Sequence, residues 1–243
     1  MTLVALAVIA LAAFGIEGAI GFGGTVVAAS IGAQLVPLDA LLPAFVPLNL
    51  ALSAWLLASG RDAIAWRVLI CELAAPIVAG AVVCLALFHL PAKTALALAF
   101  GLFVAALALL QLVRPAARPL PPALRLAMLF AGGVAHGLFG TGGPMIVYVA
   151  RRRIADKRAF RATLAVLWLA LNSALLVNFL ALGLYTRHTG ELALVVALAL
   201  YPGFALGERV HRALDPRRFE RLVWLLLLIA GAALAVRSAF ALT

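Results

Sequence analysis

Residues 137–143 read "GLFGTGG" and lie between the apolar stretches "LAMLFAGGVAH" (126–136) and "PMIVYVA" (144–150). Four glycines in seven residues oppose helix, because glycine loses the most backbone entropy on becoming helical. In hydrocarbon, an unwound stretch leaves N–H and C=O groups without partners at several kcal/mol each, so it survives only where protein or a water-filled cavity surrounds it. A second copy stands 119 residues earlier. "EGAIGFGGT" (Glu17–Thr25) aligns with "HGLFGTGGP" (His136–Pro144), which sets Gly18, Gly21, Gly23 and Gly24 on Gly137, Gly140, Gly142 and Gly143. An interruption that occurs twice asks to be read as a device.

Composition supplies the setting. The 243 residues are 66% hydrophobic and 12% charged, with a mean hydropathy of +1.17. Soluble domains are about 45–50% apolar, so this chain reads as an all-α polytopic membrane protein. Its hydrophobic runs fall at roughly 3–36, 41–59, 67–89, 93–113, 123–150, 160–182, 189–207 and 219–241. Most have the length of one crossing. The two that are too long, 3–36 and 123–150, hold the glycine clusters. The N-terminal run lacks a basic leader and a convincing cleavage site and reads as a retained span. Cys71 and Cys84 fall in one helix about 20 Å apart, too far for a disulfide between them. No metal-ligand spacing or cofactor motif appears, no Walker A loop is present, and neither a cofactor nor a resident metal is expected.

Further matches place Asn49 opposite Asn172, Pro76 and Gly80 opposite Pro202 and Gly207, and Arg114 opposite Arg237. The chain therefore divides into two homologous repeats, 1–118 and 119–243, joined at "RPAARPLPP" (114–122), with both repeats building one transport unit. The net charge of +10 suggests topology rather than nucleic acid, because the basic residues sit between spans. Arg61 and Arg67 follow the second run. Arg151–Arg153, Lys157, Arg158 and Arg161 follow the fifth, and Arg209, Arg212, Arg217, Arg218 and Arg221 the seventh. Equivalent loops thus carry opposite bias. The positive-inside rule then predicts an inverted-topology repeat with both termini outside. If each glycine-broken run enters and returns, as a re-entrant hairpin or two short crossings, sixteen of the nineteen Lys and Arg residues lie inside, against twelve for eight plain crossings.

A helix restarting after "GG" presents unpaired N–H groups at its positive end, which suits an anion. Pro144 fits the first turn of such a helix. The predicted substrate-binding residues are Gly21, Gly23, Gly24 and Thr25 in the first repeat, and Gly140, Thr141, Gly142 and Gly143 in the second. Asn49 and Asn172 are added as amide donors at mid-span. Glu17 and its counterpart His136 are intramembrane ionisable groups beside the clusters and are the candidates for proton coupling. The competing assignments are close packing for the glycines and structural hydrogen bonds for the polar side chains.

At these residues the chain resembles the TauE/SafE family of sulfite exporter-type permeases. "PLDAL" (37–41), "GRDAIAWR" (60–67) and the stretch 76–103 are similar to that family's features in the same order, while Thr25 and Pro144 stand where a third glycine is common. The resemblance implies a multi-pass bacterial inner-membrane permease, not an enzyme, moving a sulfur-containing anion such as sulfite, thiosulfate or an organosulfonate by secondary transport. The partners expected are that anion and the lipid bilayer, with no nucleic acid. The oligomeric state stays open, a homodimer included. A passive anion channel and a membrane scaffold are the alternatives. Of the other polar groups, Glu208 is expected to pair with Arg212, and His211 and Trp224 are expected at solvated or lipid-facing positions.

Overall fold

The computed structural model describes residues 2–32, 35–87, 93–113, 120–139 and 143–241, and every regular element among them is helical. The first long run forms α1 (Thr2–Ile20), a turn, and α2 (Gly24–Val27), which continues into a π-helical turn, Ala28–Gly32. Next come α3 (Leu38–Gly60) and α4 (Trp66–Val68). A second π turn, Leu69–Ala74, leads on to α5 (Ala75–Leu87), followed by α6 (Lys93–Val113). The chain then runs through α7 (Pro122–Phe139), α8 (Gly143–Arg153), α9 (Lys157–Ala181), α10 (Arg187–Ala213) and α11 (Pro216–Phe240). Among the described residues, six segments are long and apolar enough to cross a membrane: 2–20, 39–63, 66–84, 157–181, 187–213 and 217–240.

Two compact units emerge, and each draws on both halves of the sequence. The first comprises Met1–Ala65 and Asp156–Leu214. Here α1 packs along α10, and α3 packs on α9 and α10. The core joins Leu6, Ala10, Phe14, Phe45, Leu52 and Val196, with the rings of Phe14 and Phe45 5.7 Å apart. Lipid offers no hydrophobic drive for helix association, so close van der Waals fit must supply it. Glycine gives that fit: a Cβ on Gly207 would fall on the Gly15 carbonyl, and one on Gly203 would lie 2.8 Å from the Leu11 carbonyl. The helix ends are closed by short polar side chains. Asp156 accepts from Ala159 N at 2.7 Å at the start of α9, and Lys157 donates to the carbonyls of His211 and Leu214 near the end of α10.

The second unit comprises Trp66–Ala155 and Asp215–Thr243. In it α5 packs on α7 and α6 on α11. A Cβ on Gly80 would fall on Phe130 O, and one on Gly133 on Ile77 O. The α6–α11 contact is reciprocal. A Cβ on Gly101 would lie 2.6 Å from Ala235 N and 2.7 Å from Gly231 O, and one on Gly231 would lie 2.6 Å from Ala105 N and 2.8 Å from Gly101 O. The buried Arg151 closes the end of α8 by donating to Ile154 O and Ala155 O, and its guanidinium lies over the Phe219 ring. Trp224, expected among lipid-facing aromatics, is instead buried edge-on against Tyr148, with ring centroids 5.4 Å apart. Cys71 and Cys84 are both free, as their spacing along one helix requires.

These glycine contacts predict a sharp contrast among alanine variants. Gly207→Ala and Gly133→Ala force backbones apart and cost about 1–3 kcal/mol each, as overpacking does. Gly190→Ala, where an added Cβ meets nothing within 4 Å, is neutral or stabilising by up to about 1 kcal/mol. Thermal unfolding of the three purified variants in one detergent measures the difference.

Candidate functional site

The first glycine break is built by backbone geometry that only glycine adopts cheaply. Gly21 and Gly23 have φ of 83° and 95°, in the left-handed region. Gly21 N still donates to Glu17 O at 2.7 Å, the last helical bond of α1. The chain then turns, and Gly23 O accepts from Val27 N at 3.0 Å as α2 begins. Between those bonds the terminal carbonyls of α1 lose their helical partners.

Three side chains from α9 and α10 take them up. Arg161 Nη1 donates to Gly18 O, His211 Nδ1 to Ala19 O and Trp168 Nε1 to Gly21 O, each at 2.7 Å. A carbonyl can only accept, so His211 carries its proton on Nδ1. His211, expected in solvent at a span end, is therefore a buried cap. Arg161 also pairs with Glu208 Oε2 at 2.7 Å, and Glu208 holds Arg212 at 3.1 Å, the pairing expected from sequence with one more partner. Three carbonyls of the break, those of Gly18, Ala19 and Gly21, are thus capped by side-chain donors. At its other end, the first N–H groups of α2 have no helical acceptor, the general condition of a helix start.

A second cluster sits on the α3 side. Asn49 Nδ2 donates to Thr25 Oγ1 at 2.9 Å. Ser53 follows Asn49 by one turn on the same face, and both are 1% exposed. Glu17 is 4% exposed and lies directly against Gly24, where a Cβ would land on its Oε2 and 2.7 Å from Ala13 O. Glu17 Oε2, Asn49 Oδ1 and Ser53 Oγ are buried with no hydrogen-bond partner among the described residues. The structure therefore brings Glu17, Gly21, Gly23, Gly24, Thr25 and Asn49 together around one turn.

In the first repeat α1 ends at Ile20 and α2 starts at Gly24; in the second, α7 is described up to Phe139 and α8 from Gly143. Gly140, Thr141 and Gly142 lie outside the described residues. Gly143 and His136 are buried in the second unit. Asn172 is buried on α9 in the first unit. Counted from the helix starts Leu38 and Lys157, Asn172 stands opposite Ser53, each fifteen residues on, and Asn49 stands opposite Trp168, each eleven on. In the second unit the half-buried Glu72, on its π turn, is clamped by Arg153 at 2.6 Å and Arg125 at 3.1 Å. Their hydrogen bonds, with that of Arg153 shortest, satisfy a carboxylate near a span end.

Sequence reasoning missed Arg161, Trp168 and His211 as partners of the break. They lie 143, 147 and 192 residues from the carbonyls they meet. The one local signal was an unusual density of strong donors on the spans after the third helix.

The described residues, helical in every regular element, with six candidate spans and a glycine-broken first segment, define a polytopic membrane protein. Comparison with known proteins gives the family: residues 5–234 match the model of the Sulfite exporter TauE/SafE family, and the chain belongs to it. It is similar to a protein of Comamonas testosteroni described as "Probable inner membrane transporter protein TsaS", at 33% identity over 120 residues. That alignment covers 49% of this chain and 50% of the relative, so the match spans about half of the relative's length. No solved structure matches.

Removing a donor from the break leaves a buried carbonyl unpaired, at about 1–3 kcal/mol. Trp168→Phe, which keeps the ring volume, and Arg161→Met, which also strips Glu208 of a partner, should both lower the unfolding midpoint, Arg161→Met more. Differential scanning fluorimetry on detergent-purified protein reads the order, and equal midpoints for all three proteins would contradict the capping role.

Proposed function

We propose that this chain is a secondary permease that moves a small sulfur-containing anion, such as sulfite, thiosulfate or an organosulfonate, across an inner membrane. One observation carries the proposal. A helix break at the first glycine cluster has its Gly18, Ala19 and Gly21 carbonyls capped by side-chain donors and leads into a new helix start, and the sequence repeats that cluster 119 residues on. Such a turn favours negative charge without a lysine in the bilayer. Membership of the sulfite exporter family supports the substrate class.

The two sequence repeats, 1–118 and 119–243, act as one transport unit of inverted topology with both termini outside. The packing pattern agrees with such an exchange. Swapping the repeats turns the α1–α10 pair into α7–α5, and carries α3–α9 and α6–α11 each into itself. The reciprocal glycine contact of α6 and α11 has the form expected at a two-fold axis. Gly21, Gly23, Gly24 and Thr25, with Gly140, Thr141, Gly142 and Gly143, contribute the anion-binding backbone, and the buried Asn172 an amide.

In proteoliposomes, the wild-type chain should move at least one of sulfite, thiosulfate or a small sulfonate in preference to chloride. Gly24→Ala, whose Cβ would fall on Glu17 Oε2 and close to the Ala13 carbonyl, should cost about 1–3 kcal/mol of stability and, in the protein that still assembles, about tenfold or more of that flux, equivalent to roughly 1.4 kcal/mol at the barrier. Absence of selective flux for every sulfur anion would overturn the substrate class, and flux that dissipates without ever rising against a gradient would make the protein a channel. Orientation is checked separately, in a background lacking Cys71 and Cys84. Thr2→Cys should react with an impermeant maleimide on intact cells, and Arg158→Cys only after permeabilisation.

A further inference from the structure

We infer that Glu17, Thr25, Asn49 and Ser53 form a binding site for a monovalent cation, sodium, that is bound together with the transported anion. The inference deepens the permease assignment and rests on it only for the word "transported". The site itself stands on burial and on oxygen chemistry.

Glu17 and the Asn49–Thr25 pair meet at one turn, and the buried Ser53 follows Asn49 by one helical turn on the same face. Glu17 Oε2 lies against Gly24, and the neighbouring Thr25 Oγ1 receives the Asn49 amide at 2.9 Å. Three oxygens of the group, Glu17 Oε2, Asn49 Oδ1 and Ser53 Oγ, are buried and lack hydrogen-bond partners among the described residues. Orphaned buried polar atoms are rare because each costs about 1–3 kcal/mol. A single proton on Glu17 could serve one of them and would leave another orphaned. A hard cation serves several at once, since such ions bind carboxylate, amide and hydroxyl oxygens together. The one carboxylate sets the charge: a monovalent ion brings the cluster to neutrality, whereas a divalent ion would leave an uncompensated positive charge in the membrane.

Charge also ties the ion to the anion. A bare Glu17 carboxylate beside a helix start would repel the anion proposed to bind there, and cation binding removes that repulsion. The two ions then favour each other's binding, the reciprocity that coupling requires. The second half lacks the oxygens. At the 119-residue offset Glu17, Thr25, Asn49 and Ser53 correspond to His136, Pro144, Trp168 and Asn172, a set with one amide and no carboxylate or hydroxyl. The expected stoichiometry is one cation per chain.

The test uses full-length protein in lipid nanodiscs, titrated with NaCl against choline chloride and KCl at constant ionic strength. It follows the unfolding midpoint and the tryptophan emission, because Trp168 is bonded to Gly21 in the same turn. Wild type should show a saturable, sodium-selective rise in midpoint. Glu17→Gln and Ser53→Ala should each weaken the apparent sodium affinity by about tenfold or more, a loss of one or more hard ligands. No sodium-selective response in wild type overturns the site, whether or not the variants fold. So does a response that Glu17→Gln and Ser53→Ala leave unchanged. Flux separates the two proposals: sulfur-anion transport equally fast in choline and sodium overturns the cation site and keeps the permease. Sodium binding without flux of any sulfur anion keeps the site and overturns the permease.

Discussion

Backbone hydrogen bonding in hydrocarbon is the constraint on which this structure depends. A helix can be interrupted inside a membrane protein only if something replaces the bonds it gives up. At Gly21–Gly23 the replacements are an indole, an imidazole and a guanidinium, each 2.7 Å from a carbonyl at the end of α1. They come from α9 and α10, so the turn exists only once those helices have packed beside α1. Glycine permits the left-handed backbone, and the donors make it stable. Neither is sufficient alone.

The arrangement is polar in a directional sense. Donors from the protein occupy the carbonyl side of the turn, so the helix start beyond it keeps its positive character. The Glu17 carboxyl group lies against Gly24 in the same turn. A turn of this kind can be responsive, because filling one side alters the field felt at the other.

Much of the fold was legible in the sequence because its signals are local. Run length and hydropathy gave the spans. The glycine spacing gave the first interruption, with α1 ending at Ile20 and α2 starting at Gly24. The partners of the break were illegible because they are distant in sequence and ambiguous in type. His211 near a span end resembles a solvated histidine, and Trp224 resembles an interfacial anchor, yet both are buried. Counted from the helix starts, Asn172 aligns with Ser53, one turn from its match by residue type to Asn49. The interleaving of the compact units was equally hidden, since no periodicity says which span a glycine face will meet.

That interleaving bears on how the protein is made. α1 finds its packing partner in α10, which begins at Arg187. At typical elongation rates the ribosome needs on the order of ten seconds or more to reach it. Until α9 is made, α1 carries Glu17 and a glycine turn with none of the three donors that later secure it, and the third, His211, comes only with α10. The first helix must therefore be sheltered by the insertion machinery, or wait in lipid as an unfinished element. The chain's earliest membrane segment is then among its last to reach its final structure.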